Sequence, residues 1–391
     1  MCGTSCGKNV SKYNLEKECC GCSACYSICP ANAIKMVQNE RGFFNPQVSE
    51  NCVRCGQCIK VCQIEKENYF EKSKEQYAAK NRNDKIRMTS SSGGVFSVIC
   101  EALYAKYGED VTFYGAAWDN GLHVIHKGVT GTHIYEFRGS KYVQSDLKEV
   151  FREIKNLLQQ KKTVVFSGTG CQCFGLRNYL KVAGGDDSQL FVIDIVCHGV
   201  PAPKMWSDYL ETLGTDEKKH PVSYIFRNKK EGWRGMHPLA FNSKGEELER
   251  NALFMSYCRL FGNLMLNEIC YSCKFACEKR VGDITLGDFW GIEKTFAHLD
   301  DNKGVSICLI NTEKARAVFE EIKPAIEWEA VLDDSYLQPQ LCHPTRRNYK
   351  YNRFWKDYKK KDYLYVAKKY TEHSALYVFL YNNVYKRIRK M

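Results

Sequence analysis

Eight cysteines between residues 19 and 62 have the spacing that iron–sulfur chemistry demands. Cys19, Cys22, Cys25 and Cys29 form a Cys-x2-Cys-x2-Cys-x3-Cys run, and Cys52, Cys55, Cys58 and Cys62 repeat it thirty-three residues later. Three thiolates spaced in this way wrap one corner of a 4Fe-4S cubane, and the fourth cysteine of each run serves the other cluster. The repeat predicts one cluster on Cys19, Cys22, Cys25 and Cys62, and a second on Cys52, Cys55, Cys58 and Cys29. Structural zinc would need only paired Cys-x2-Cys hooks separated by a longer gap, which leaves the third cysteine of each run without a task. Disulfides belong to an oxidising compartment. Here Met1 leads directly into a polar segment with no secretory leader, so a reducing, cytoplasmic setting is expected.

Stepping from one run to the other, the surroundings differ. Pro30 follows Cys29 as the bacterial ferredoxin pattern expects, whereas Gln63 follows Cys62. Proline is a turn device and not a ligand, so little loss is expected at the second site. Cys20 adjoins Cys19 but does not complete the spacing. A bacterial-type two-cluster ferredoxin domain over residues 17–66 follows from this pattern, preceded by a loose lead-in over 1–16 that carries the unassigned Cys2 and Cys6. The charged stretch 65–74 reads as a linker.

A further trio, Cys270, Cys273 and Cys277, has Cys-x2-Cys-x3-Cys spacing. It too suits a cubane whose fourth ligand comes from elsewhere. Cys197 and Cys171 are the candidates, with Cys197 preferred. Three clusters would carry about twelve irons per chain.

The elements that would position this chemistry read as an α/β domain over 76–345. Ser91-Ser92-Gly93-Gly94 precedes a helix-period segment with Val95, Val98, Ile99, Ala102 and Leu103 on one face. Hydroxyls and glycines crowded at a helix start favour an anion such as phosphate, through the exposed amides and the helix dipole. Strands are expected at 111–117, 124–129, 163–166, 190–196, 224–227, 238–242 and 305–310. Helices are expected around Leu147–Leu158, Phe174–Leu180, Lys204–Leu210 and Glu313–Ile322. The strand at 163–166 runs into Gly168-Thr169-Gly170-Cys171-Gln172 and a helix, the strand–turn–helix geometry in which α/β folds hold phosphates. The strand at 190–196 ends in Cys197-His198, where such sheets place active sites. Asp283 and Asp288 suit turn caps or cofactor contacts equally.

The 391 residues are 44% hydrophobic and 26% charged, as in a globular protein with a substantial core, and no apolar run is long enough to span a bilayer. The net charge is +12, but residues 346–391 hold 14 Lys or Arg against 3 Asp or Glu. The body is therefore almost neutral, which argues against nucleic-acid binding. The basic tail interleaves Tyr349, Tyr351, Phe354, Trp355, Tyr358, Tyr363, Tyr365 and Tyr370. Its expected form is helical, with aromatics packed back on the body; an anionic membrane or acidic partner is the other reading.

Taken in order, Ser-Ser-Gly-Gly-Val at 91–95, Ser-Lys-Tyr-Val-Gln at 140–144, Gly-Thr-Gly-Cys-Gln at 168–172, Cys-His-Gly-Val-Pro at 197–201 and Gly-Asp-Ile-Thr-Leu-Gly-Asp-Phe-Trp-Gly at 282–291 resemble the β-subunit family of coenzyme F420 hydrogenases and dehydrogenases. The resemblance covers most of 76–345, and a ferredoxin repeat is a common N-terminal attachment. Gly170 departs from it, standing where the family is expected to have proline, which puts the role of Cys171 in doubt. The resemblance implies an α+β flavoprotein with FAD and a 4Fe-4S cluster, moving electrons between clusters and a substrate at the flavin. Coenzyme F420 is one such substrate; other members reduce chlorophyll-type pigments. Ser91, Ser92, Gly93, Gly94 and Lys141, with Gly168, Thr169 and Gly170, would hold the cofactor, and His198 with Lys141 would serve catalysis. A redox partner such as ferredoxin or a hydrogenase or dehydrogenase subunit is expected, in an anaerobic cell. The rival expectations are an electron-transfer subunit without its own substrate, and a binding module with structural clusters.

Overall fold

Residues 9–371, apart from 68, 216, 217 and 219, are described by the structure, a computed structural model. Cys2, Cys6 and the part of the basic tail from residue 372 onward lie outside them.

The fold is α+β. Buried apolar runs make its centre: β4 (Val111–Trp118), β6 (Thr163–Thr169), β7 (Leu190–Ile195) and β10 (Ile284–Asp288) lie side by side and parallel. Antiparallel strands flank them, β5 (Val124–Val129) beyond β4, and β11 (Ser306–Ile310), β3 (Glu75–Asn81) and β12 (Ile326–Ala330) beyond β10. Successive side chains of a strand point to opposite faces. Val165, Phe191 and Ile193 accordingly pack on one side with the helices Val95–Tyr107 and Glu313–Ile322. Val164, Phe166, Leu190 and Val192 pack on the other with the helices Val150–Gln159 and Gly170–Val182.

The cysteine-rich N-terminal segment belongs to that second face. Its hairpin of β1 (Ile34–Gln38) and β2 (Phe44–Val48) and its short helices Ala24–Ile28 and Gln57–Val61 share a core with the sheet through Val10, Ala24, Ile34 and Val61. The stretch expected as a linker also lies on the body: Lys72 pairs with Glu278, and Phe70 meets the ring of Phe174 edge-on.

The strands β8 (Ser223–Ile225) and β9 (Leu239–Phe241) form a separate hairpin. It shares a core with the helices Pro203–Leu213 and Ser256–Phe261 and with the basic tail, whose helices Tyr351–Lys360 and Tyr363–Thr371 bury Tyr351, Phe354, Trp355, Tyr358 and Tyr363. Among the described residues no helix is long and apolar enough to cross a membrane.

Candidate functional site

The two cysteine runs surround two small cavities. One is lined by Cys29, Cys52, Cys55 and Cys58, with Asn9, Pro30 and Arg54. The other is lined by Cys19, Cys22, Cys25 and Cys62, with Cys20, Met36 and Gln63. In both, three cysteines of one run meet the fourth of the other. Among the described residues no three His, Cys, Asp or Glu side chains gather tightly enough for a single metal ion. A cubane asks for something different, sulfurs spread around a small space, and the donor set fits it.

The chemistry of the thiols agrees. Burial pushes Cys62 up to about 11 and raises Cys19, Cys25 and Cys58 as well. Buried thiols of this kind lose their protons when a cluster's positive charge replaces them. The inner cavity abuts the helix Gly170–Val182: a side-chain carbon at Gly175 would lie 3.0 Å from Cys22 Sγ, so the closeness requires glycine. The outer cavity is nearer solvent, with Cys55 and Val53 exposed.

A third group of sulfurs gathers behind that helix start. The neighbouring Cys171 and Cys273 add to burial in raising Cys197 to about 12, and Cys171 adds to burial in raising Cys273 to about 11. Burial raises Cys270 too, with Cys197, Cys273 and Cys171 contributing. Cys277 instead turns its thiol to the carbonyls of Lys274 (3.4 Å) and Lys279 (3.7 Å). Cys270 and Cys273 thus have Cys197 and Cys171 as neighbours, and the Cys277 thiol meets carbonyls of its own loop.

That loop is locked to the sheet by Arg280. Its guanidinium donates to Phe275 O (2.7 Å), Cys277 O (3.3 Å) and the Asp194 carboxylate at the end of β7 (2.7 Å), and Thr285 also donates to Asp194.

At the C-terminal ends of the parallel strands opens a cavity of about 300 Å³. This lies at the lower end of the ~300–1,000 Å³ range of small-molecule sites, and the place is the one open α/β sheets use for ligands. Its walls include Ser91, Ser92, Gly94, Ser140, Lys141, Gly168, Thr169, His198 and the sulfurs of Cys20, Cys171 and Cys197. Gly94, at φ +80°, ends the serine loop and starts the helix Val95–Tyr107 without any side-chain cap. The first amides of that helix are therefore available to an anion. Ser91 Oγ accepts from Ser140 N (2.6 Å) and Ser140 Oγ (2.8 Å), which fixes the loop carrying Lys141. The Lys141 ammonium donates to Arg138 O and Gly139 O (3.2 Å each), and burial lowers its pKa to about 7. Lys229 holds the serine loop from behind, donating to Ser92 O (2.5 Å), Arg87 O (2.8 Å) and Lys303 O (2.7 Å).

Several expected cofactor residues have other tasks. Gly93 is buried under the loop, its N–H donating to Ser306 Oγ (2.9 Å), and a side-chain carbon there would strike Ala79 O at 2.4 Å. Gly170 is buried against Phe275, 3.0 Å from where its own side-chain carbon would stand. Thr169 and Gln172 form a capping box, with Thr169 N donating to Gln172 Oε1 (3.0 Å), so this motif satisfies its own helix start. His198 is a tied structural ring: Nε2 meets Gly262 O, and Nδ1 lies near Gln340 Nε2 (3.2 Å) and Thr345 Oγ1 (3.3 Å). Both of its nitrogens are thus engaged by the protein. Asp283 accepts from Val192 N (2.7 Å) and Thr312 Oγ1 (3.1 Å) and is structural; Asp288 lines the cavity, paired with Arg227.

Two residues that spacing passes over are central here. Gln144 Oε1 accepts from Phe44 N (2.8 Å) while its Nε2 donates to Cys20 O (3.2 Å), clamping the N-terminal segment to the cavity wall. His126 is buried, held by Ser145 Oγ (2.8 Å) and Ser167 O (3.1 Å), and burial lowers its pKa to about 4, which makes it a neutral wall.

Residues 161–333 match the family model for the C-terminal part of the coenzyme F420 hydrogenase/dehydrogenase beta subunit, and residues 18–66 match a 4Fe-4S dicluster domain. Among solved structures, a chain of the F420-reducing [NiFe] hydrogenase complex from Methanosarcina barkeri is similar, at 14% identity and a TM-score of 0.45, over 67% of this chain and 83% of that one. No curated protein sequence matches.

Proposed function

We propose that this chain, whose residues 18–66 match a 4Fe-4S dicluster domain and whose residues 161–333 match the C-terminal part of the coenzyme F420 hydrogenase/dehydrogenase beta subunit, is an iron–sulfur flavoprotein oxidoreductase. It passes electrons between its clusters and a substrate that takes or gives hydride at FAD, coenzyme F420 being one candidate. The observation that carries this reading is that a single cavity joins a helix start without a side-chain cap to Cys171 and Cys197.

The residues divide the work. Cys29, Cys52, Cys55 and Cys58 would hold the outer cluster, Cys19, Cys22, Cys25 and Cys62 the inner one, and Cys171, Cys197, Cys270 and Cys273 the third. Ser91, Ser92, Gly94 and Lys141 would bind the cofactor's phosphates and ring, with Gly168 and Thr169 lining its other side. FAD supplies the junction between single-electron carriers and two-electron chemistry. Lys141, with its pKa near neutrality, is a cavity group able to hold or release a proton at its Nζ. His126 and His198 keep the walls rigid.

The exposure of Cys55 favours a second reading, an electron-transfer subunit whose outer cluster faces a partner that does the chemistry. Anaerobic purification decides. About twelve irons, matching sulfide and about one FAD per chain are expected. Clusters without flavin would sink the first reading, and a stoichiometric copurifying partner would favour the second.

A further inference from the structure

The two helices of the basic tail hide one face and display the other. In Tyr351–Lys360 the buried rings of Tyr351, Phe354, Trp355 and Tyr358 recur at intervals of three and four residues, so Arg353, Lys356, Lys359 and Lys360 share the opposite, exposed face. In Tyr363–Thr371 it is Tyr363, Val366 and Ala367 that are buried, and Leu364, Tyr365, Lys368 and Lys369 face outward. Phe354 meets Tyr370 edge-on and Lys369 pairs with Asp357, which sets the two exposed faces side by side. The tail meets the N-terminal segment at the tip of its hairpin, where Lys359 pairs with Glu40 and Trp355 packs on Phe43. The outer cluster cavity is built elsewhere, from Cys29, Cys52, Cys55 and Cys58.

This surface carries charge that the protein does not answer. Arg347, Lys359 and Lys369 have carboxylate partners, but Arg346, Lys350, Lys356, Lys360, Lys361 and Lys368 are exposed and form no ion pair among the described residues. The acidic residues among them are already engaged: Asp357 accepts from Lys369 and Tyr370, and Asp362 accepts from Tyr365 N. Aromatic and apolar groups stand between the bases. Tyr349 is 89% exposed, and Leu364 and Tyr365 also lie on the outside.

We propose that this face is a docking surface for an anionic lipid bilayer, on which the chain lies peripherally. Clustered lysines and arginines are drawn to anionic head groups, and tyrosine rings settle at the boundary between head groups and acyl chains. An acidic protein presents carboxylates at fixed places, for which the planar fork of arginine is the better match. All the unpaired bases except Arg346 are lysines, which suit a diffuse charge instead. The sequence beyond the described residues keeps this composition, with Leu376, Tyr377, Phe379 and Leu380 followed by Lys386, Arg387, Arg389 and Lys390. Because the rest of the chain is almost neutral, the attraction acts on the tail. The contact uses no cluster ligand and no residue of the large cavity, so it stands or falls apart from the redox chemistry.

The test mixes the full chain, purified anaerobically, with sedimentable vesicles of phosphatidylcholine, alone or with about 30% phosphatidylglycerol, in about 0.05 M and about 0.5 M salt. Wild type should sediment with the anionic vesicles at low salt, be released at high salt, and ignore phosphatidylcholine. Lys356→Gln, Lys360→Gln and Lys368→Gln together should weaken binding about a hundredfold, since each lysine near an anionic surface is worth about fivefold. Lys85→Gln, Lys244→Gln and Lys294→Gln together remove as much charge from exposed sites on the body, and should change binding less than about threefold. Circular dichroism of both triple variants should match wild type, because each of these lysines is exposed. Equal losses in the two variants would overturn the proposal, as would failure of wild type to bind anionic vesicles at low salt. Tail-dependent capture by a small acidic ferredoxin, without binding to vesicles, would overturn it too and make this face a protein dock.

Discussion

Arg280 and Asp194 form an ion pair with both side chains almost wholly out of solvent, Nη2 to Oδ2 at 2.7 Å. Asp194 lies on β7 opposite Thr285 of β10, so the pair ties two central strands to the loop that carries Cys273. Breaking a buried pair by removing one partner leaves an uncompensated charge, at a cost of roughly 3–5 kcal/mol. Arg280→Leu is expected to lower stability by about that amount in urea unfolding and to lose the third cluster with the loop. Asp194→Asn, which leaves the Arg280 charge buried but keeps a carbonyl acceptor, should cost less. Equal stability of Arg280→Leu and wild type would show the pair to be idle.

Cys171 and Cys277 compete for membership of the third sulfur group. The turn of the Cys277 thiol toward Lys274 and Lys279 and the influence of Cys171 on Cys197 and Cys273 favour Cys171. Cys171→Ser and Cys197→Ser should each lose about four of about twelve irons, whereas Cys277→Ser should keep them. The reverse pattern would restore the grouping that spacing alone gives.

How far the sequence reaches can be judged from such cases. The eight N-terminal cysteines fall by spacing into the same two sets that line the two cavities, because a local repeat is a local signal. The strands β6 and β7 are legible for a related reason: each is buried on both faces and reads as a continuous apolar run. The strands β3, β10 and β12 are not, since Lys80, Asn81, Thr285 and Glu327 break their apolar character and only their neighbours in the sheet explain them. Gln63 reads in the sequence as a harmless loss of proline. Its partner Cys171 is 108 residues away, and no local pattern carries that contact.

Removal of iron should unfold one part of the chain and spare the other. Cys25 and Cys58 are core residues, packed with Val10, Ala24, Ile34 and Val61, so emptying the clusters takes away the centre of this small segment. A chelator under reducing conditions is expected to open residues 9–66 to proteolysis while the eight-stranded sheet stays protected. Circular dichroism should then show a minor loss of signal. A single concerted collapse of the whole chain would contradict this.

Lys141 sets a pH dependence whose sign follows from burial. Its folded pKa, about 7, lies below the ordinary lysine value of 10.5, so between these two the unfolded chain binds the extra proton and stability of the cofactor-free protein rises with pH. Below pH 7 both states are charged and the dependence on this group vanishes. An anion in the cavity needs the charged form, which works in the opposite direction. Affinity for FAD should be greatest below about pH 7 and fall by up to about tenfold per pH unit above it, until binding itself raises the lysine pKa. Lys141→Met should bind FAD more weakly and without that slope, whereas Lys141→Arg, charged throughout the range, should bind with no slope. Titration of the apo-protein with FAD, followed by flavin fluorescence from about pH 6 to about 9, measures all three. An unchanged slope in Lys141→Met would place the titrating group elsewhere in the cavity.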